Sequence, residues 1–508
     1  MKKENKMGTE PIAKLVVTMS LPIMLSMLVQ ALYNIVDSIF VSNFDTNALS
    51  AVSAAFSAQN LMIGIATGTG VGVNALLSRA IGAKDHKLAQ KYAVNGVFFS
   101  FVGYIIPLLF GLFASKIYME CVVDPNDPNA TAIIQYGKEY LTVVCCWSFG
   151  LYGEIIFERL MQSTGRTVLT MFTQGLGAIV NIVLDPIFIF RKGEGIFGMG
   201  VFGMGAEGAA IATVIGQCAG FVLAIILNHR YNKEVRLSFK GFRPDFKIAK
   251  SIYAIGVPSI LMVAIGSIMF YLMLFIIKLF TSSPTPIQTV FGVYFKLNSF
   301  VFMPVFGLNN GVIPIIAFNY GARNRKRMVQ AIKCSAVFAC ILMLIGFSVF
   351  MAFPEQLLSI FSVTPDMIQI GTFALRIICI SFIFAGICIV LGSVFQALGH
   401  GTLSMIVSIV RQLVVLLPVA LILCLIGRAV GNDNLLWFSY PVAEMASLLV
   451  SALLYRRIYK NQISLIPENG DPERAEIALE LSDQSETEDL IMDTDTFNGN
   501  LNTKTCAK

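Results

Sequence analysis

Up to about residue 460 the chain is written twice. Leu21-Pro22-Ile23 returns as Val257-Pro258-Ser259, Ile81-Gly82-Ala83-Lys84-Asp85 as Tyr320-Gly321-Ala322-Arg323-Asn324, and Gln162-Ser163-Thr164-Gly165 as Gln396-Ala397-Leu398-Gly399. The displacements are 236, 239 and 234 residues, so the register holds across the whole apolar body. A chain made of two related copies is expected to fold as two related halves. Paired membrane halves with a cleft between them are how many secondary transporters are built. The repeat therefore points to a carrier before any single residue does.

The solvent of such a chain follows from its charge. Only 13% of the residues are charged and 56% are hydrophobic, against about 25% charged in soluble domains. That is too little charge to cover a water-facing surface, so the bilayer is the expected solvent. A spanning helix takes about 20 mostly apolar residues. Twelve stretches qualify, near 14–41, 50–77, 92–114, 136–160, 167–190, 206–228, 252–279, 288–317, 331–353, 367–397, 402–427 and 435–458. The predicted fold is an all-α polytopic membrane protein of twelve transmembrane helices in two six-helix repeats. Six spans per half is even, so the repeats run parallel, related by an axis along the membrane normal.

Lys and Arg in the loops set the orientation. Counted by alternate loops and span ends, 25 basic residues fall on one side and 6 on the other. The basic side, with both termini, is expected in the cytoplasm. The net charge of +6 is then topology facing anionic lipid, not a nucleic-acid footprint. The expected organisation is a cytoplasmic N-terminus at 1–13, an N-lobe at 14–230, a linker at 231–251, a C-lobe at 252–460 and a tail at 461–508. The linker from Lys233 to Lys250 reads as an amphipathic surface connector. From Ser464 onward there are 11 acidic and 3 basic residues, and Phe497 is the one aromatic. Such a segment is expected to be disordered, with room for a short helix over Pro472–Leu481. The ten cysteines lie mostly inside spans and imply no disulfide framework.

Charges inside spans are costly and usually functional. Gln30, Asn34 and Asp37 share one face of span 1, and Asn181 and Asp185 share one face of span 5. Counted from the basic ends, Asp37 and Asp185 reach similar depth. Two acids sharing a low-dielectric site cannot both stay charged uncompensated, so they invite a proton or a sodium ion. Oxygen ligands for sodium would be Asp37, Asp185, Asn181 and Thr213, with Glu154 of span 4 joining the cluster. No other metal and no organic cofactor is expected. The repeat mates of the two acids are Met273 and Val419, so coupling is expected in the N-terminal half alone. Gln30, Asn34 and Met273 are the expected substrate-cleft positions. Glu158 and Arg159 read as a helix-end ion pair. Among the intramembrane polar groups of the second half, Lys296, Arg376 and Arg411 are basic and Glu444 is the only clear acid, and some of these are expected to neutralise each other. The span 2 glycines Gly64, Gly68, Gly70 and Gly72 read as a packing seam. No phosphate-loop signature occurs, so ATP does not power this chain, and no enzyme activity is expected.

These segments resemble the multidrug and toxic compound extrusion (MATE) transporters. The resemblance rests on Ser20-Leu21-Pro22, Tyr33-Asn34-Ile35-Val36-Asp37-Ser38, Ser78-Arg79-Ala80-Ile81-Gly82-Ala83, Gln162 to Thr167, Asn181-Ile182-Val183-Leu184-Asp185-Pro186 and Gly208 to Thr213. It spans about residues 10 to 460 and looks closest to the DinF-like branch. It implies a V-shaped, monomeric carrier of the plasma (inner) membrane. It implies export of organic, often cationic, xenobiotics in exchange for Na+ or H+. It also implies a cation site at Asp37, Asn181 and Asp185, with Thr213 and position 154 contributing. Two departures stand out: Glu154 replaces a usual Asn, and span 7 carries no acid between Pro258 and Lys278. The alternative within the superfamily is a flippase for lipid-linked oligosaccharides, which would use Lys296, Arg376 and Arg411 on pyrophosphate.

Overall fold

The computed structural model describes residues 5–468 except 126, 196–197, 236, 239–241, 282–283 and 362–363. Among the described residues ten helices are individually long and apolar enough to span a membrane, and counting each of two bent pairs as one span brings the number to twelve. In the N-lobe these are α1 (Ile12–Phe44), α2 (Thr46–Gly82), α3 (His86–Val122), α4 (Ala130–Cys146 and Phe149–Ser163), α5 (Thr167–Ile189) and α6 (Ala206–Tyr231). The C-lobe repeats them as α7 (Phe246–Phe280), α8 (Pro284–Gly321), α9 (Arg325–Ala352), α10 (Pro365–Cys379 and Phe382–Ala397), α11 (Gly401–Val430) and α12 (Asp433–Leu465). Every expected span has its helix. The helices overrun the apolar windows because backbone hydrogen bonding continues into the headgroup layer, where polar side chains are tolerated.

The repeated motifs turn out to be turns and kinks. Lys84 and Arg323 are repeat mates, and among the described residues they are the two non-glycine residues with positive φ, at 59° and 53°. One residue later, Asp85 and Asn324 cap the next helices, accepting from the Leu88 and Arg327 amides. Gly165 (φ 81°) and Gly399 (φ 92°) stand just after α4 and α10, in the left-handed conformation that a glycine adopts without penalty. Pro22 and Pro258 sit inside α1 and α7. The bends match as well, 46° in α4 and 48° in α10.

The lobes meet along α1, α2, α7 and α8. On α2 the glycines recur every fourth residue towards α7: Gly64 faces Val263, Gly68 faces Ile260 and the Gly256 carbonyl, and Gly72 faces the Ile252 carbonyl. Gly70 points the other way, making room for buried Arg159. At the basic end the seam is reciprocal. A methyl group on Gly82 would overlap the Phe318 carbonyl, and one on Gly321 would overlap the Arg79 carbonyl. Phe318 is the repeat mate of Arg79, so the two-fold relation runs through this contact. α1 meets α8 at the same end, with Ser20 against Gly311 and Met24 against Gly307. Beyond Met24, Gln30 is half-buried and Asn34 exposed. The molecule is thus sealed at its basic end.

Three segments differ from expectation. Residues 6–9 form a short helix that bridges the lobes. Asn5 Nδ2 donates to Glu234 Oε2 (2.7 Å), while Arg327 Nη2 of α9 donates to the Met7 (3.1 Å) and Glu10 (2.7 Å) carbonyls. The expected connector is shorter, because Asp245 caps α7 and Phe246 to Lys250 already belong to that helix. The expected tail begins later than 461. Ile463 and Ile466 are buried, and the Arg325 and Lys326 amides donate to the Pro467 and Glu468 carbonyls, both at 3.2 Å. Two isoleucines with a place to bury order this stretch. The acidic tail from 469 on, including Pro472–Leu481, lies outside the described residues.

Candidate functional site

Close helix packing builds the N-lobe site. α5 and α6 approach at Gly177 and Gly216, where a methyl group on Gly216 would lie 2.6 Å from the Gly177 carbonyl oxygen. One turn along, Asn181 Nδ2 therefore reaches both Asp185 Oδ1 (3.3 Å) and Thr213 Oγ1 (3.2 Å). Asp37 of α1 completes the group, and its charge lies within electrostatic reach of Asp185. All four residues are buried.

The donors do not match the acceptors. Asp37 Oδ1, Asn181 Oδ1 and Asp185 Oδ2 are buried without a hydrogen-bond partner. Buried polar atoms of proteins are nearly always partnered, and a buried orphan costs about 1–3 kcal/mol, more if charged. Three acceptor oxygens without donors fit a cation. A proton on either carboxylate supplies the missing donor; a sodium ion supplies one positive centre for several oxygens. Among the described residues no group of three or more His, Cys, Asp or Glu side chains stands together as a metal site.

Glu154 sits beside this cluster, towards the basic end. Its carboxylate lies against Gly220 and near Gly177, a space that exists because neither carries a side chain. Tyr33, one turn before Asp37 on α1, is within electrostatic reach of Asp37, Asp185 and Glu154. Tyr140 of α4 feels Asp37 and Asp185 and donates to Gln59 Oε1 (3.2 Å). The sequence reading named neither tyrosine as a site residue. The i, i+4 spacing of Tyr33 and Asp37 was a usable signal; nothing in the sequence placed Tyr140.

Other expected pairings are rearranged. Glu158 and Arg159 form no ion pair within 4 Å among the described residues. Glu158 instead accepts from Thr173 Oγ1 (2.6 Å) and Gln174 Nε2 (2.8 Å) of α5, and Arg159 Nη1 donates to Gln162 Oε1 (2.8 Å). Adjacent residues on a helix point about 100° apart, so each finds its own partner. Arg411 pairs with Glu444 at 3.5 Å, removing one cation from the basic cleft that a flippase would need. Lys296 and Arg376 are exposed.

Gln30 and Asn34 keep enough exposure to line a cleft. Met273 does not: it is fully buried in the C-lobe core, so it packs that lobe rather than contacting substrate. Met273→Ala is therefore expected to cost about 2–5 kcal/mol of stability, read as a lower melting temperature of the purified protein.

Relatives match this chain over most of its length. The multidrug export protein MepA of Staphylococcus haemolyticus (strain JCSC1435) is 25% identical over 461 residues, covering 90% of this chain and 96% of its own. MepA of Staphylococcus aureus (strain MSSA476) is 24% identical over 471 residues, with 90% and 97% covered. Among solved structures, a multidrug resistance MATE family transporter of the MOP superfamily in its outward-facing conformation superposes with TM-score 0.80 at 24% identity, covering 92% of this chain and 99% of that one. A MOP superfamily transporter from Pyrococcus furiosus gives TM-score 0.80 at 24% identity, covering 91% and 98%. The MatE family model matches twice, over residues 22–187 and 258–422, the same displacement that relates Pro22 to Pro258. With both repeats matched and the twelve-helix fold in place, the chain belongs to the MatE family, the MATE transporters its motifs resemble.

Proposed function

We propose that this protein is a secondary active multidrug efflux antiporter. It exports organic, often cationic, compounds in exchange for a monovalent cation, H+ or Na+, taken up at Asp37, Asn181 and Asp185. The observation that supports this most is the set of three buried oxygens without partners in one lobe of a two-lobed membrane protein. The MepA relatives are multidrug export proteins by name, which supports the substrate class.

In the cycle we infer, the basic end faces the cytoplasm of a bacterial cell, as the loop charges favour. With that end sealed, Asp37 and Asp185 take up a cation from outside. Neutralising one carboxylate removes the repulsion between them and lets α1 and α5 draw together. That repacking narrows the cleft and favours release of the drug. Opening at the basic end returns the cation and admits the next drug. Thr213 positions the Asn181 amide, Glu154 tunes the field around the pair, and Gln30 and Asn34 meet substrate. Surrounding lipid is the remaining partner, and one chain suffices for one cleft.

The test is dye efflux from proteoliposomes with sodium and proton gradients imposed separately. Efflux that follows one gradient and ignores the other is expected, and it names the ion. Efflux that proceeds equally with neither gradient would sink the antiport reading.

A further inference from the structure

A cavity of ≈ 470 Å³ opens at the basic end, between the short N-terminal helix, the α4–α5 turn and the end of α6. Lys6 and Arg166 line it. Neither has an ion-pair partner within 4 Å among the described residues, and Arg166 Nε is a buried donor without an acceptor. Two carboxylates share the lining. Glu234 accepts from Asn5 Nδ2 at 2.7 Å, and both it and Glu10 act on the cavity as counter-charges at longer range. Burial lowers the Lys6 ammonium from its ordinary value, Glu10 opposes that, and the charge of Arg166 adds to it. Neither carboxylate comes within 4 Å of the Lys6 ammonium or the Arg166 guanidinium, so these two groups face the cavity with donors unfilled. A guanidinium fork meets phosphate oxygens in two parallel hydrogen bonds, and an ammonium adds a point charge.

The rim adds a second property. Val168 at the start of α5 and Tyr231 at the end of α6 line the cavity and are exposed, 45% and 43%. They stand at the basic ends of α5 and α6, so an occupant with an acyl chain can lay that chain along the apolar sides of these two helices. Anionic lipid attracts basic groups at the cytoplasmic surface by about 1 kcal/mol each.

We propose that this cavity binds a phosphate-bearing anion on Lys6 and Arg166, with the head group of an anionic phospholipid as its source. The site rests on the cytoplasmic orientation inferred above but not on ion coupling. Its wall is the same N-terminal helix that Arg327 holds from the C-lobe. An occupant therefore fastens that helix to the N-lobe as well and stabilises closure of the basic end.

The experiment uses the purified full chain in detergent, with phosphatidylglycerol, phosphatidylcholine or inorganic phosphate added in turn. Phosphatidylglycerol is expected to raise the melting temperature and phosphatidylcholine to leave it unchanged. In Lys6→Gln/Arg166→Gln the half-saturating phosphatidylglycerol concentration is expected to rise by about tenfold or more, the equivalent of 1.4 kcal/mol. Arg166→Lys keeps a charge and should retain part of the shift. If the double variant does not give a folded peak, the single variants Lys6→Gln and Arg166→Gln are read instead. An equal shift with inorganic phosphate alone, lost in the same variants, keeps the site and makes its ligand a soluble phosphate compound. Equal binding of phosphatidylglycerol by wild type and variants, no binding at all, or equal shifts with phosphatidylcholine overturns the proposal. Because nothing in the assay is transported, failure here leaves the antiport reading standing.

Discussion

Asp37→Asn is expected to reduce gradient-driven efflux to the level of empty vesicles while the protein still expresses, inserts and melts cooperatively. The argument is one of charge. The amide is nearly isosteric with the carboxylate but neither takes up a proton at working pH nor offers sodium a negative ligand. Uptake of the driving ion is then lost and the cycle stalls. Stability should move the other way. Asp37 holds a buried oxygen without a partner, and an uncompensated buried charge is destabilising, so the asparagine variant should melt at the same temperature or higher. Asp185→Asn is expected to behave alike. Thr213→Ala removes one hydrogen bond to Asn181, worth about 1 kcal/mol, and should slow efflux by about fivefold rather than abolish it. Normal pumping by Asp37→Asn, measured in the same vesicles, would show that the coupling ion binds elsewhere.

Gly82→Val and Gly321→Val are expected to produce the other large loss, through packing. Even a methyl group at either position would overlap a backbone carbonyl of the opposite repeat, and a carbonyl inside a helix cannot swing aside as a flexible side chain does. The lobes must part at the basic end, breaking the seal that outward opening depends on. Overpacking of this kind costs about 1–3 kcal/mol, and here it falls on the contact that moves during transport. Lower melting temperature and loss of efflux are expected together. Gly292→Ala serves as the control, since its added methyl group meets nothing within 4 Å. The two seam variants should resemble each other, because each overlaps the repeat mate of the carbonyl that the other meets. Wild-type efflux from either would show that the reciprocal contact is not part of the working seal.

Much of this architecture was legible in the residues. Twelve apolar stretches became twelve spans because in lipid an apolar run of that length has no competing way to satisfy its backbone. The acids of α1 and α5 were legible because a charge inside a span is conspicuous. Less legible were the neighbours. Helical spacing tells which residues share a face, not which helix that face meets. Glu158 and Arg159 looked paired because they are adjacent, yet Thr173, Gln174 and Gln162 hold them. Met273 was placed in the cleft by analogy with Asp37, but the repeat conserves backbone position and not exposure; Asp37 itself is buried among polar groups and Met273 among apolar ones. The role of Gly177, Gly216 and Gly220 in making room for Asn181 and Glu154 needed coordinates, because a small residue leaves no mark except the approach it permits. The ordered N-terminal helix and the stretch to Glu468 were hidden for a related reason. Both are short, with too few apolar residues to mark them, and they are held by groups from distant parts of the chain.

The reciprocal contact of Gly82 and Gly321 has a consequence for how the protein can be assembled. An interface in which each partner offers the other the same groups is the kind found in two-fold dimers. This chain is, in effect, a two-fold dimer on one polypeptide, with the acids Asp37 and Asp185 in its first half and Met273 and Val419 at the matching places of its second. The join between them, from Asn232 to Asp245, shows no helix among its described residues. Cut there and co-expressed as two fragments, the protein should reassemble without its covalent tether.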